Sequence, residues 1–235
     1  AHEMSPTGAF GSNTGIQDAH NLAWKIAAVL DGSAGIELLD TYQAERLPVA
    51  RATSERASAR SAEHSHPGYA PPPTMGGGPG SGVLTTAMAY CYTQGALVGG
   101  DPARPVIPET LQSMGDTGTR APHMWLTRAG ERISTLDLYE RSFVLLSGAG
   151  TPWQAAAEQA ARQLGMRLDA YAIGSGPGAD LVPEGGAPWT EVHHLGADGA
   201  VLVRPDGFVA WRSEGAVTDP ASVLREVLST VLRRA

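Results

Sequence analysis

The residues Pro6-Thr7-Gly8-Ala9-Phe10-Gly11-Ser12-Asn13 place two glycines and a proline directly before a segment of helical pattern. Glycine lets a backbone pass close to a ligand, and a helix entry offers unpaired amides at the positive end of its dipole. Such a site suits a phosphate or any group that carries negative charge. The same residues also make a plain tight turn, and with no strand before them they are not a dinucleotide fingerprint. The run Gly76 to Gly82 lacks the Lys-Ser/Thr ending of a phosphate loop and reads as a loop without fixed structure. His64 with His66, and His193 with His194, lack a third ligand at metal spacing, so both pairs are expected at the surface. Cys91, between Tyr90 and Tyr92, reads as a packed thiol. No residue can be assigned as catalytic.

The elements that must position these residues follow from periodicity. Thr14 and Gln17 form a capping box, which starts a helix. Ile16, Ala19, Ala23, Ile26 and Leu30 then fall on one face, expected to be the buried one, and Asp31-Gly32 ends it. A second helix is expected over 37–45, burying Leu38, Leu39 and Tyr42, with Pro48 kinking or restarting the chain into a third over 49–63. Pro71-Pro72-Pro73 and the glycine run mark a linker. A short helical patch follows over 83–94. Beyond Gly118 the pattern changes: strand 143–147, helix 153–164, strand 168–173, a hairpin 200–203 and 208–211 around Asp206-Gly207, and a closing helix from Asp219 or Ser222. This β-α-β-β-β-α order is compatible with a thioredoxin-like unit. Ser147-Gly148-Ala149-Gly150-Thr151-Pro152-Trp153 stands where such a unit keeps paired cysteines, so a dithiol mechanism is excluded.

Composition bounds the rest. The chain has 235 residues and a formal charge of −7, from 17 basic and 24 acidic residues. Glycine (29) and proline (17) together are far above average usage, which implies long ordered loops. The acidic balance argues against nucleic acid, and no apolar run spans a membrane. A cytoplasmic protein is expected. A single cysteine rules out a disulfide framework. Lys25 is the one lysine among sixteen arginines, a bias that reads as codon usage rather than function. The opening Ala1-His2-Glu3-Met4 reads as a piece whose beginning lies elsewhere.

The stretch from Ala1 to Lys25 resembles the second flavin-binding motif of FAD-dependent aromatic hydroxylases related to para-hydroxybenzoate hydroxylase, and most of all the hydroxylases of bacterial aromatic polyketides of the tetracenomycin and anthracycline type. Leu38-Leu39-Asp40-Thr41-Tyr42, Glu45-Arg46, Arg120-Ala121-Pro122-His123, Ser134 to Leu138 and Val201 to Trp211 continue the likeness. The resemblance implies an α/β fold: the helical tail of an FAD-binding domain (1–66), a Pro/Gly-rich linker and extension (67–117), and a thioredoxin-like C-terminal domain without CxxC (118–235). It implies FAD beside Pro6, Gly8, Gly11, Ser12 and Asn13, the last three through backbone amides. It also implies reduction by NADPH, O₂ as oxygen source and a phenolic ring of an aromatic polyketide as substrate. The family's N-terminal FAD- and substrate-binding portion is the implied partner, and oligomeric state stays open. The competing reading is a non-catalytic scaffold or dimerisation module with a vestigial flavin loop.

Overall fold

A computed structural model of the chain describes residues 2, 10–64, 81–109 and 114–234. Pro6, Gly8, His66 and the linker up to Gly80 lie outside these residues.

Helix α1 runs Phe10–Leu30. It begins ahead of the expected capping box. Thr14 is buried inside the helix, and Gln17 donates instead to the Ala87 carbonyl at 3.1 Å. The expected inward face is reversed. Ile16, Ala19, Ala23, Ile26 and Leu30 are all exposed, while Thr14, Asp18, Asn21, Trp24 and Lys25 are buried. Apolar periodicity cannot tell which side of a helix meets the chain when the opposite side carries charges that pair with one another.

A 3-10 turn (Ile36–Leu39) leads into helix α2 (Asp40–His64), which continues through Pro48 where two helices were expected. Proline inside a helix costs ~3 kcal/mol. Here Leu38, Thr41, Glu45 and Arg46 before it, and Val49, Ala50, Thr53 and Ala57 after it, are buried in one continuous stripe that offsets the loss. Leu38 is fully buried, whereas Leu39 and Tyr42 are half-buried. Helix α3 (Ser81–Met88) is shorter than the patch expected from sequence, and Gly82 belongs to it rather than to a loop.

The C-terminal part holds two sheets. Strands β1 (Trp125–Arg128) and β2 (Glu131–Ser134) form a hairpin turned at Ala129 and Gly130, both at positive φ. Neither strand is marked by periodicity. The larger sheet combines β3 (Phe143–Gly148), β4 (Leu168–Ile173), β6 (Ala200–Val203) and β7 (Val209–Ser213) in the order β4-β3-β6-β7. Strand β3 runs parallel to β4 and antiparallel to β6, and β6 is antiparallel to β7. The short strand β5 (Val182–Pro183) pairs with β1. Helix α4 (Trp153–Leu164) connects β3 to β4, the one-turn helix α5 (Trp189–Val192) precedes β6, and α6 (Pro220–Val231) closes the chain with Asp219 as its N-cap.

Because side chains alternate along a strand, the sheet has two apolar faces. Phe143, Leu145, Ala200 and Leu202 pack against Trp153, Ala160, Leu224 and Leu228 of α4 and α6. Val144, Leu146, Val201 and Val203 pack against Leu126, Leu138, Ile173 and Leu181. Trp24 of α1 joins the first cluster, meeting Phe143 edge-on at 5.5 Å.

Of the histidines expected at the surface, His194 is exposed but His193 is wholly buried at the end of α5, its ring tilted by 56° against that of Trp189 at 5.9 Å. The side chain of His64 lies outside the described residues. Cys91 is buried as expected, its thiol 3.2 Å from the Pro105 carbonyl. Among the described residues no group of three or more His, Cys, Asp or Glu could hold a metal, and no helix is long and apolar enough to cross a membrane.

Candidate functional site

Gly11, Ser12 and Asn13 form the first turn of α1, where four backbone N–H groups lack intrahelical acceptors. Ser12 and Asn13 are exposed, Gly11 half-buried, and the turn carries no acidic side chain. The positive end of the helix is therefore neutralised by nothing on the helix itself. The structure brings these three together at one helix end; Pro6 and Gly8 lie outside the described residues.

What fixes this helix end is its buried polar side. Asp18 accepts from the backbone N–H of His2 at 2.8 Å and from Nε of Arg46 at 2.7 Å, while Nδ1 of His2 lies 3.1 Å away. One carboxylate thus ties the chain before the glycine-containing segment to the helix after it and to α2. Burial works against the ionised form, but Arg46 and His2 outweigh it and hold the Asp18 carboxyl below its usual range. Arg46 also lies over the Tyr90 ring at 5.1 Å.

One turn further along, Glu45 gathers a second cluster. Its Oε2 accepts from Asn21 at 2.6 Å, Lys25 at 2.8 Å and Arg204 at 2.9 Å. Its Oε1 accepts from Arg204 at 2.8 Å and from the Ala96 amide at 2.7 Å. Arg204 turns its remaining edge to Asp206, with Nε 2.9 Å from Oδ1. Lys25, Glu45, Arg204 and Asp206 are all almost fully buried, and their formal charges sum to zero. Burial would raise the Glu45 carboxyl, yet Arg204 and Lys25 hold it down at about 2. Burial pulls the Lys25 ammonium down to about 8, with Glu45 opposing. The Arg204 guanidinium lies 5.1 Å from both the Trp24 and Tyr92 rings. These pairs join residues up to 185 positions apart, so α1 and α2 are bound directly to the β6–β7 turn.

None of these buried charges was singled out for a role from sequence. The signal was present: Thr14, Asp18, Asn21 and Lys25 follow one another at spacings of four, three and four, a polar stripe on one helix face. Lys25, read as a trace of codon bias, is a fully buried ion-pair partner.

Comparison with known proteins gives this arrangement a family. Residues 1–57 match the FAD binding domain profile, and residues 115–235 match the aromatic-ring hydroxylase C-terminal profile. A Streptomyces halstedii protein named "Putative polyketide hydroxylase" is 61% identical over 99% of this chain and 43% of its own length. The tetracenomycin A2 monooxygenase-dioxygenase of Streptomyces glaucescens is 43% identical over 100% of this chain and 40% of its own length. A solved aklavinone-11 hydroxylase in complex with FAD and aklavinone superposes with a TM-score of 0.82 at 38% identity, covering 98% of this chain and 42% of that one. The chain therefore spans about two fifths of the length of these relatives. Both its helical segment and its C-terminal unit match over their length, and the chain belongs to the FAD-binding aromatic-ring hydroxylases.

Proposed function

We propose that this chain is the C-terminal portion of an FAD-dependent monooxygenase that hydroxylates a phenolic ring of an aromatic polyketide, with NADPH as reductant. The observation that carries the reading is the first turn of α1: the amides of Gly11, Ser12 and Asn13 without intrahelical acceptors, no acid in that turn to neutralise them, and a helix locked in place by buried charge pairs. That end fits the isoalloxazine edge where negative charge accumulates on reduction. FAD, when bound, supplies the redox and oxygen-transfer chemistry. The chain's own contribution is to hold amide donors toward that edge and, through Pro6 and Gly8, to shape the wall beside the ring.

Names of relatives support the substrate class, since they include a putative polyketide hydroxylase and a tetracenomycin A2 monooxygenase-dioxygenase. The relatives' remaining length, more than half of each, leaves room for an N-terminal partner portion that would complete the FAD and substrate sites. We assign 1–66 to the FAD-binding domain, 67–117 to a linker and extension, and 118–235 to a thioredoxin-like domain without CxxC. A β-α-β unit followed by a β-hairpin and a helix on one mixed sheet supports the last assignment. A cytoplasmic location goes with the same reading.

Native mass spectrometry of the full-length protein with FAD, followed by turnover of a phenolic polyketide with NADPH and O₂, is the test. One bound FAD and a hydroxylated product are expected. A protein that takes up no flavin would leave only the scaffold reading.

A further inference from the structure

A cavity of about 270 Å³ opens between α1 and the C-terminal unit, away from the first turn of α1. Its walls include Met88, Met114 and Leu136, and Met88 and Leu136 are 46% and 54% exposed although both are large and apolar. His123 on its rim meets Trp125 edge-on at 4.9 Å, which extends the aromatic character of the mouth. The cation in it is Arg120. Among the described residues that guanidinium donates once, from Nη2 to the Tyr90 hydroxyl at 3.1 Å, and its buried Nε has no acceptor. It lies over the Phe208 ring at 4.9 Å and the Tyr90 ring at 5.4 Å, which fix its plane. Among the described residues no carboxylate lies within ion-pairing distance of Arg120, in contrast to Arg46 and Arg204, each paired at under 3 Å. Asp206 also borders the cavity, but it is engaged by Arg204. Glu140, which is exposed, also lines the cavity and offers an acceptor.

We propose that this cavity binds a hydroxylated one- or two-ring aromatic carboxylate, its carboxylate on Arg120, its hydroxyl donating to Glu140 and its ring between the methionines and Leu136. A guanidinium is shaped for bidentate carboxylate pairing, and one held on aromatic faces loses little freedom on binding. The volume suits one or two rings rather than the larger fused systems of a polyketide. The site rests only on residues of this chain and not on the flavin reading.

The test uses the full-length flavin-loaded protein and 6-hydroxy-2-naphthoate, counted by equilibrium dialysis, with the neutral 6-hydroxymethyl-2-naphthol as control. If the flavin-adjacent substrate site also takes the probe, two classes of site are seen. Arg120→Met is expected to weaken one class by at least about tenfold, the loss of one charge-assisted pair, with flavin content unchanged. Leu136→Trp, at an exposed position whose new indole fills the cavity, should abolish that class. It also carries the test if Arg120→Met does not fold. Undiminished binding in Leu136→Trp, or equal affinity for the neutral control, overturns the proposal. Absence of flavin from the wild-type protein would sink the flavin reading and leave this one standing, since dialysis on the flavin-free protein reads the cavity alone.

Discussion

Replacing Glu45 by glutamine removes one charge from a cluster that excludes water while keeping its shape. The carbonyl oxygen of the substituted amide can still accept from the Ala96 amide, which the Glu45 side chain meets at 2.7 Å. Lys25 then loses its carboxylate partner, and Arg204 loses two of its charge-assisted bonds but keeps Asp206. Lys25 has a way out, because it already titrates at about 8. Once it releases its proton at pH 7 its contribution is capped at about 1.4 kcal/mol, one pH unit of free energy. Arg204 has no such escape, and its weakened pairing costs about 1.5–3 kcal/mol. The expected loss is therefore about 3–4 kcal/mol at pH 7, inside the range for breaking a buried ion pair. Urea unfolding at constant m-value measures it. The loss should shrink by about 1 kcal/mol at pH 9, where Lys25 is already largely neutral in the parent. Glu45→Gln combined with Lys25→Met should recover part of the loss, since it leaves no buried lysine charge without a partner. A loss under about 1 kcal/mol, or a double variant no more stable than the single one, would refute the claim that these pairs hold α1 to the β6–β7 turn.

Other outcomes are equally specific. His193 is wholly buried, neither ring nitrogen has a hydrogen-bond partner among the described residues, and burial pulls it from 6.5 down to about 4. The unfolded chain therefore binds this proton more readily than the folded one, so stability falls by roughly 3 kcal/mol as pH drops from 6.5 to 4. His193→Leu should remove that slope and match or exceed the parent at pH 7, which a Tm series across pH will show. Glu45 works in a lower window. Its folded carboxyl titrates at about 2 against an ordinary 4.5, so its stabilisation is complete above the ordinary value and is lost as pH falls toward 2. Gly95→Ala would set a methyl 2.4 Å from Cγ and Oε1 of Glu45 at a φ of +121°, and a loss of at least about 3 kcal/mol in urea unfolding is expected. Asp18→Asn removes the charge on which Arg46 and His2 converge. It should weaken FAD binding by the full-length protein about tenfold, the cost of a lost charged hydrogen bond, and unchanged flavin affinity in a fluorescence titration would count against the role of α1.

Much of the C-terminal unit could be read in advance because its signals are local. The apolar run Phe143–Ser147, the alanine-rich helix from Trp153 to Leu164, the Asp206-Gly207 turn and the Asp219 cap each fix their own backbone within a few residues. The flavin-motif resemblance was equally local, carried by one unbroken stretch from Ala1 to Lys25. Burial of the charges was not. Glu45, Arg204 and Asp206 sit in segments that carry no mark of an interior, and a buried ion has no periodic signature of its own. Only the fold brings Glu45 within 3 Å of a residue 159 positions away, and only that meeting makes Lys25 an interior residue. The same fact reversed the reading of α1: once Asp18, Asn21 and Lys25 had partners across the chain, the polar side turned inward and Ile16, Ile26 and Leu30 were left facing out. Sequence sets the periodicity of a helix face, but pairing energy between distant charges, which exists only in the folded arrangement, decides which face is inside.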